Sequence, residues 1–447
     1  MKLWQKGYEL DRHVEEFTVG KDYLLDQKLV KYDCIGSIAH AKMLAKIKII
    51  SQSECKKLVG ALNQLIELDA KCKFKIEQQD EDVHTAIENF LIKKLGKTGK
   101  KIHTARSRND QVLVDIRLYS KEKMIELEEA LLELCGSLFK FSSENKNIPI
   151  PGYTHMRKAM ASSVGLWACS FIESLLDDLK LIKMAFEIND QSPLGSVASY
   201  GTSLPINREY VSKLLGFEKV QNNVLYVGNS RGKIEAMILS SLSQTMSTLN
   251  KIATDLLLFT AEEFGFFELP EKFLTGSSIM PNKSNPDVLE ILRAKSNAVH
   301  PSLFQILSVI QNIPSGYNRD FQLTKKPLIE GMETTLSCLK ITNKLIKNLK
   351  VNKEKCSKSL TPEIFAADKA IKLVEKGIPF REAYEEVWKN LNSLKEQDPE
   401  ENILSKKHKG ASGNLGLEKL EKQISVEKKN LETLRNRFEK KISELLI

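Results

Sequence analysis

The chain has 447 residues, of which 42% are hydrophobic and 28% are charged. This balance excludes an intrinsically disordered protein and is sufficient for a sizeable core and more than one domain. The net charge of +9 suits an anionic small substrate, but the basic residues form no dense block, so we expect no nucleic-acid partner.

The cysteines and the N-terminal segment indicate a cytoplasmic protein. The seven cysteines are widely spaced and include no C-x-x-C pair, which argues against a disulfide framework or a zinc cluster. The charged N-terminus MKLWQKGYELDRHVEEF lacks the apolar core of a signal peptide. Since no window approaches about 18 uninterrupted apolar residues, we expect no membrane span.

Helical periodicity dominates the chain and predicts an all-α protein. In 109–143, Val112, Ile116 and Tyr119 follow one another at steps of four and three residues, which places them on one helical face. The stretch 233–264 has no Gly or Pro and is apolar on most sides, as expected for a buried helix of roughly 45 Å. Alternating strand patterns are scarce. The further long-helix candidates are 161–188, 286–312 and 326–350.

Breaks in this pattern divide the chain into four parts. We predict an N-terminal helical domain (1–105), a central long-helix bundle domain (106–350), a small C-terminal helical domain (351–416) and an amphipathic helical tail (417–447). The apolar residues of the tail follow a roughly heptad grid that Glu427 and Lys441 interrupt. A single surface helix is favoured over a short coiled-coil contact.

Two polar segments coincide with predicted helix starts. In 80-DEDVHTAIE-88, Asp82 and His84 are explained by helix capping with an exposed histidine. In 103-HTARSRNDQV-112, Arg106 and Arg108 flank Ser107 immediately before a long helix. A helix N-terminus beside two guanidiniums favours a carboxylate-binding site over a simple cap with surface arginines.

A third segment, 151-PGYTHMRKA-159, contains a histidine that is a candidate for proton transfer. We interpret Pro151 and Gly152 as a turn, with Thr154 and His155 between that turn and the next helix. A lone histidine is more often structural than catalytic. His155 becomes a catalytic candidate if a carboxylate tunes its protonation near neutral pH.

The fourth segment, 275-TGSSIMPNKSNPDVLE-290, predicts a mobile loop. Small residues around Ser277 permit movement, while Lys283 and Asn285 supply a cation and an amide for an anionic intermediate. Pro286 suits the start of the next helix, with Asn285 as its N-cap and Glu290 in its first turns. Polar loops of this length are commonly lids or binding loops, and this interpretation is favoured over a surface loop without a role.

A fifth segment, 314-PSGYNRDFQLTK-325, offers further hydrogen-bond donors. A Pro/Gly break is followed by Tyr317, Arg319, Gln322 and Lys325, and Tyr317 and Lys325 are eight residues apart. If the segment is helical, eight residues are about two turns, so both side chains could face one cleft.

These segments resemble a known family. GSSIMPNKSNPD fills every fixed position of GSSxMPxKxNP, the signature of the aspartase/fumarase superfamily, and HTARSRNDQV resembles the corresponding block of argininosuccinate lyases. EDVHTAIE, PGYTH, GIPFREAY and HKGASGNLG are also similar to that family. The resemblance extends from Trp4 to about Gly416, and the tail beyond has no match.

The resemblance implies a three-domain, all-α aspartase/fumarase-like fold with a long central helical bundle. It implies a homotetramer with a core of about 20 helices, in which each active site is shared among three subunits. The implied reaction is the reversible β-elimination of argininosuccinate to L-arginine and fumarate, without metal or organic cofactor. This is the last step of arginine biosynthesis.

The resemblance also implies roles for individual residues. Ser277 would be the general base, while Lys283 and Asn285 would stabilise the aci-carboxylate. His155, paired with Glu290, would protonate the leaving nitrogen. The implied substrate-binding residues are Ser107, Arg108, Asn109, Thr154, Tyr317, Gln322, Lys325 and, from the EDVHTAIE block, Asp82 and His84.

Several positions depart from the family pattern. The common GYTHLQ-x-A-x-P is GYTHMRKAMA here, Q-E-D-K is QLTK, S-x-R-D is NSRG at 229–232, and F-x-x-S is FTVG. Two alternatives are a relative acting on another succinyl or fumaryl compound and a helical scaffold without turnover, as in lens proteins. The HTARSRNDQ block argues against the first, and the intact Ser277, His155, Lys283 and Glu290 argue against the second.

Overall fold

The computed structural model describes residues 11–395 and 397–447, which are 69% helical and 6% strand. The prediction of an all-α class is therefore confirmed. Within the described residues, the α-helices are α1 Arg12–Val19, α2 Asp22–Asp26, α3 Val30–Lys46, α4 Gln52–Ala70, α5 Val83–Leu95, α6 Arg108–Glu144, α7 Val164–Asn189, α8 Arg208–Leu214, α9 Val224–Asn229, α10 Lys233–Thr260, α11 Asp287–Val309, α12 Lys325–Asn348, α13 Lys353–Lys358, α14 Ala366–Val374, α15 Phe380–Lys389, α16 Pro399–Ser405 and α17 Leu417–Leu446.

The short strands form four two-stranded ladders among the described residues. Three ladders are antiparallel, and the pair between 191–192 and 219–220 is parallel. The strands are β1 Pro149–Thr154, β2 Arg157–Ser163, β3 Gln191–Ser192, β4 Lys219–Val220, β5 Phe267–Glu268, β6 Thr275–Gly276, β7 Ser284–Asn285 and β8 Lys350–Val351.

A bundle of five long helices forms the centre of the molecule. Helix α10 packs against α7, α11 and α12, and α6 packs against α7 and α12. The predicted helices 109–143, 233–264, 286–312 and 326–350 agree with α6, α10, α11 and α12 to within four residues at each end. Because α10 is apolar on most sides, it contributes to the core along its whole length, from Ile234 to Leu256.

The region before α7 differs from the prediction. Pro151 and Gly152 lie inside β1, where a register shift separates Pro151 from Tyr153, and they do not form a turn. The chain reverses instead at His155 and Met156, which both have positive φ, and β2 then extends to Ser163. Residues 161–163, predicted as helix, are therefore strand. Thr154 and His155 lie at the tip of the β1–β2 hairpin, and strand β2 separates them from the next helix, α7.

The buried apolar residues form one large cluster and two small ones. The large cluster extends from Leu29 to Leu445 and joins the N-terminal helices to the central bundle. The small clusters lie around Phe365 and around Leu373. The domain boundaries given above stay a prediction.

The helical tail packs on the bundle through α17, which has 30 residues. Helix α17 lies along α6 and also contacts α3, α7 and α8. Arg435 in α17 reaches Glu129 in α6 at 2.6 Å. The buried face of α17 consists of Leu420, Ile424, Leu431, Phe438 and Leu445, which follow one another at four- and seven-residue steps. No helix in the described part of the chain combines the length and the apolar character that crossing a bilayer requires.

Candidate active site

A polar cavity of about 130 Å³ lies where the starts of α5 and α6 meet the N-terminal helices. The segment before α12 and the connection between α9 and α10 complete its wall. The cavity is lined by Val19, Asp22, Asp26, Glu81, Asp82, His84, Arg108, Asn109, Val112, Arg231, Tyr317, Arg319, Gln322 and Lys325.

Most of the predicted substrate-binding residues meet in this cavity, although they come from three separate sequence segments. Ser107 is the N-cap of α6, immediately beside them. Both α5 and α6 begin at the cavity, so the positive ends of two helix dipoles favour an anion there. At the start of α5, Asp26 and Asp82 already accept the Val83 and Thr85 amides. The predicted residues that line it are Asp82, His84, Arg108, Asn109, Tyr317, Gln322 and Lys325.

Asp82 joins the two helix starts. One of its oxygens accepts the Thr85 amide at 2.8 Å, which caps α5, and the other accepts from Arg108 Nη1 at 2.6 Å. Burial opposes ionisation of Asp82, but the charges of His84 and Arg108 and the Thr85 amide outweigh it, so its pKa is lowered. The predicted cap is confirmed, and Arg108 enters the cavity already paired with an acid.

The remaining charged residues of the RSRND block face the protein interior. Arg106 is only 8% exposed and donates to Ser37 Oγ at 2.8 Å, so the alternative of surface arginines is wrong for this residue. Asp110 accepts the amides of Gly195 and Val197 at 2.9 and 3.0 Å. Burial raises the pKa of Asp110 to about 6, although these amides oppose the shift. Arg106 and Asp110 thus position the block.

His84 is buried, at 4% exposure, and the expectation of an exposed histidine is wrong. Its Nδ1 lies 2.5 Å from Asp33 Oδ2 and 3.8 Å from Asp115 Oδ2. Burial opposes ionisation of Asp33, but the hydrogen bond and charge of His84 lower its pKa overall. Burial and the neighbouring Asp33 raise the pKa of Asp115 well above its usual value. The hydrogen bond to Asp33 fixes the orientation of the His84 ring beside the cavity.

Asp33, His84 and Asp115 are also the residues best suited to a metal in the described chain, since their ligand atoms lie within 4.8 Å of one another. A cation bound by nitrogen and oxygen at about 2 Å from each would hold the two ligand atoms about 3 Å apart. The 2.5 Å separation of His84 Nδ1 and Asp33 Oδ2 is instead that of a hydrogen bond. We therefore assign the group to hydrogen bonding.

Lys325 is buried at the base of the cavity between two carboxylates. Its Nζ contacts Asp22 at 2.8 Å and Asp26 more closely. Burial disfavours the charged amine, but the two acids outweigh it and raise its pKa. Nearby, Gln322 and Arg319 both donate to the carbonyl of Thr18, each at 3.1 Å. The segment before α12 is thereby fastened to the N-terminal helices.

The predicted proton-transfer residues lie outside this cavity. Strands β6 and β7 form a short ladder that closes an exposed loop, and Ser277 Oγ accepts the amides of Ile279 and Met280 at 3.3 and 3.1 Å. Ile279 at the loop tip is 81% exposed. The predicted N-cap role of Asn285 is wrong, because Pro286 holds that position and Asn285 Nδ2 donates instead to the Gly276 carbonyl at 3.5 Å.

Thr154 and His155 form a third exposed group at the tip of the β1–β2 hairpin. Within the described part of the chain, no hydrogen bond or ion pair joins His155 to Glu290, which is exposed on α11. One chain therefore presents three separate sets of predicted site residues: the cavity, the β6–β7 loop with Glu290, and the hairpin tip.

Sequence reasoning missed several cavity residues. Arg231 falls in the NSRG segment, which departs from the family pattern and was not assigned a role. The acids of α1–α2 belong to no motif, and their only sequence signal is an unusual concentration of Asp ahead of a buried helix. The missed charged residues are Asp22, Asp26, Glu81 and Arg231, whereas Arg319 belongs to the donors expected from the fifth segment.

Comparison with known proteins shows the family to which the chain belongs. Residues 8–300 match the model of a family described as Lyase. An argininosuccinate lyase from Thermotoga neapolitana is 47% identical over 383 residues, covering 86% of this chain and 96% of that protein. One from Sorangium cellulosum is 40% identical, with 95% and 98% covered.

Solved structures with the same fold are more distant in sequence. A variant of EDDS lyase with bound fumarate superimposes with a TM-score of 0.83 at 20% identity, covering 98% of this chain and 95% of that one. A class II fumarase from Schistosoma mansoni gives 0.72 at 17% identity, with 86% and 91% covered. The fold is thus that of the fumarase and EDDS lyase structures, and on sequence the chain belongs to the argininosuccinate lyase family.

Proposed function

We propose that this protein is an argininosuccinate lyase, which catalyses the reversible β-elimination of argininosuccinate to L-arginine and fumarate, the last step of arginine biosynthesis. The observation that carries the proposal is the convergence of three motif segments on one charged cavity, in a chain 47% identical to an argininosuccinate lyase. It would be a carbon–nitrogen lyase acting in the cytoplasm.

The cavity suits the substrate chemically. Argininosuccinate carries three carboxylates, an ammonium and a guanidinium, so its site needs both cations and acids. Arg108, Asn109 and two helix N-termini offer anion-binding groups, while Asp22 and Asp26 offer acids. The assigned substrate-binding residues are Ser107, Arg108, Asn109, Thr154, Tyr317, Gln322, Lys325, Asp82 and His84.

The β6–β7 loop supplies the proposed base. Elimination removes a weakly acidic proton next to a carboxylate, and Ser277 must act as an alkoxide. The two amides directed at Ser277 Oγ favour such a negative charge. Lys283 and Asn285 then stabilise the aci-carboxylate, and His155, tuned by Glu290, protonates the leaving nitrogen.

A homotetramer with shared active sites would bring these groups together. The proton-transfer residues are exposed and separate from the cavity of their own chain, so a partner's loop and hairpin are suited to close it. Helix α11 also exposes apolar side chains, among them Phe304 at 65% and Ile291 at 55%, which favours burial against other subunits.

The test is fumarate release from argininosuccinate, followed by ultraviolet absorbance. Release by the wild type supports the proposal. Fumarate from adenylosuccinate or malate alone would favour a relative with another substrate, and a folded protein without turnover would favour a scaffold. Ser277→Ala should abolish turnover while assembly, measured by light scattering, is unchanged.

Site sharing has its own test. Ser277→Ala and Asn109→Ala are each expected to be inactive, but co-refolded mixtures should regain roughly a quarter of the sites, because some sites draw both intact residues from different chains. Mixtures that stay inactive would place both residues in one chain.

A further inference from the structure

Arg231 lies in the cavity wall between α9 and α10 and is only 4% exposed. Its guanidinium carbon is 5.5 Å from the ring centroid of Tyr317 and 5.8 Å from that of Phe321. Contact with two aromatic rings restricts the orientation of the guanidinium plane. The N–H groups at the edge of that plane are then the ones that can donate hydrogen bonds.

Arg231 is the cavity cation that lacks an acidic partner among the described residues. Arg108, Arg319 and Lys325 each contact a carboxylate, at 2.6, 3.2 and 2.8 Å. Around Arg231, no described carboxylate oxygen lies within 4.0 Å, and its buried Nε has no hydrogen-bond partner. The nearby Glu235 directs one oxygen to the amide of Gly232 at 2.7 Å.

The Nε atom of Arg231 is buried without a hydrogen-bond partner among the described residues, whereas neither terminal nitrogen is both buried and unsatisfied. These two nitrogens can present the planar fork of arginine to a carboxylate in the cavity through two parallel hydrogen bonds. The guanidinium therefore favours an anionic group in the cavity.

The charges around Arg231 suggest which carboxylate it prefers. Asp22 and Asp26 bring two carboxylates against the single amine of Lys325, so one acid is in excess in the cavity that Arg231 also lines. An excess acid together with the guanidinium of Arg231 complements an α-amino acid. The ammonium group of the bound amino acid would contact the acidic side chain, and its carboxylate would contact Arg231.

We propose that Arg231 is a substrate-binding residue that holds the α-carboxylate of the arginine half of the substrate. This inference rests on the proposed function and adds a specificity-determining residue to the site. It places the succinyl half at the other end of the cavity, towards Arg108 and Asn109, where the loop and hairpin of partner chains would close.

The test compares Arg231→Met with a matched control, Arg208→Met. Arg208 donates to the carbonyls of Leu194, Gln221 and Asn222, and serves the fold. Titration calorimetry with arginine and, separately, with fumarate is performed on each full-length protein, together with thermal denaturation and argininosuccinate kinetics.

For Arg231→Met we expect arginine affinity to fall about ten- to a hundredfold, as for loss of a charged hydrogen-bond pair, with fumarate affinity little changed. KM for argininosuccinate should rise more than kcat falls. Without ligand, the melting temperature should stay level or increase, because an unpaired buried cation is removed. Arg208→Met should lower the melting temperature and leave both affinities unchanged.

Unchanged arginine affinity in Arg231→Met would overturn the inference, whether or not the affinity for fumarate falls. A lower melting temperature together with unchanged affinities would assign Arg231 to a structural contact with Glu235. A wild type that binds arginine but does not cleave argininosuccinate would reject the proposed function alone, and one that binds no arginine would reject the inference as well.

Discussion

Asp82 and Arg108 connect two helix starts through a 2.6 Å ion pair, and the same carboxylate caps α5 by accepting the Thr85 amide at 2.8 Å. Asn caps helices about as well as Asp. Asp82→Asn should therefore keep α5 but leave Arg108 with only its longer, 3.4 Å contact to Glu81, so that Arg108 is held less firmly in the cavity. We expect kcat/KM for argininosuccinate to fall about tenfold or more, measured by fumarate release.

Asp82→Ala is the control for this prediction, because it removes the cap as well as the charge. It should lose about 1 kcal/mol more of unfolding free energy than Asp82→Asn. Wild-type kinetics in Asp82→Asn would show that the ion pair does not position Arg108.

Much of this arrangement follows from local sequence. The long helices were predictable because their apolar residues repeat at helical spacing and their starts carry capping residues such as Ser107. The cavity residues were predictable because their motifs stand out against the helical background. These signals are local, so they can be recognised in the sequence without knowledge of the tertiary structure.

Other features depend on contacts that the sequence does not display. The β1–β2 hairpin was misread because a Pro-Gly pair, typical of turns, lies inside a strand at a register shift. The burial of Arg231 and Lys121 is decided by partners distant in the chain, such as Phe321 and Asp190. In the proposed assembly, Ser277 reaches the cavity of another subunit. A sequence pattern within one chain does not show such a contact.

The buried Glu128 on α6 is expected to make the stability of the protein depend on pH. It is buried, its Oε1 has no hydrogen-bond partner among the described residues, and burial raises its pKa to about 7 from 4.5. As pH rises above 4.5, the unfolded state ionises first, so this group's stabilising contribution decreases until the folded carboxyl is also ionised above about 7. Glu128→Gln should match the wild type below the lower value and exceed its unfolding free energy by about 3 kcal/mol at pH ~8.

Urea denaturation across this pH range checks the prediction for Glu128. The matched control is Glu129→Gln, which removes the ion pair with Arg435 and has no buried charge to relieve. It should be slightly less stable than the wild type at pH ~8 and should not gain stability over the wild type as the pH rises. A Glu128→Gln difference that is the same at both ends of the range would contradict the assignment of the shift to burial.

Val197 has a φ of 57°, in the left-handed region that β-branched residues avoid. The conformation is maintained because its amide donates to Asp110 at 3.0 Å, and glycine would preserve that hydrogen bond. Val197→Gly should raise the unfolding free energy by about 1 kcal/mol, since relief of strain exceeds the entropy cost of glycine. Thermal denaturation measures it. Val197→Ala, which retains a Cβ, should gain less unfolding free energy. If the glycine variant is less stable than the wild type, the backbone at Val197 is not strained.

Lys121 is a buried cation whose role is structural. Its Nζ lies 2.5 Å from Asp190 and 2.8 Å from the Gly216 carbonyl, and the ring of Phe438 from the tail helix is 5.4 Å away. Lys121→Met would leave the buried Asp190 carboxylate with only the Glu218 amide at 3.2 Å and the more distant Arg437 at 3.9 Å. We expect a loss of about 3–5 kcal/mol of unfolding free energy, measured by urea denaturation.

The double variant Lys121→Met/Asp190→Asn separates the ion pair from simple packing. Because it removes both charges, the double variant should recover part of the stability that the single variant loses. The tail should respond as well, because Phe438 packs against the Lys121 ammonium: limited proteolysis is expected to cut α17 faster in Lys121→Met than in the double variant. Equal stability of the single variant and the wild type would mean that the pair contributes nothing to anchoring the tail on the bundle.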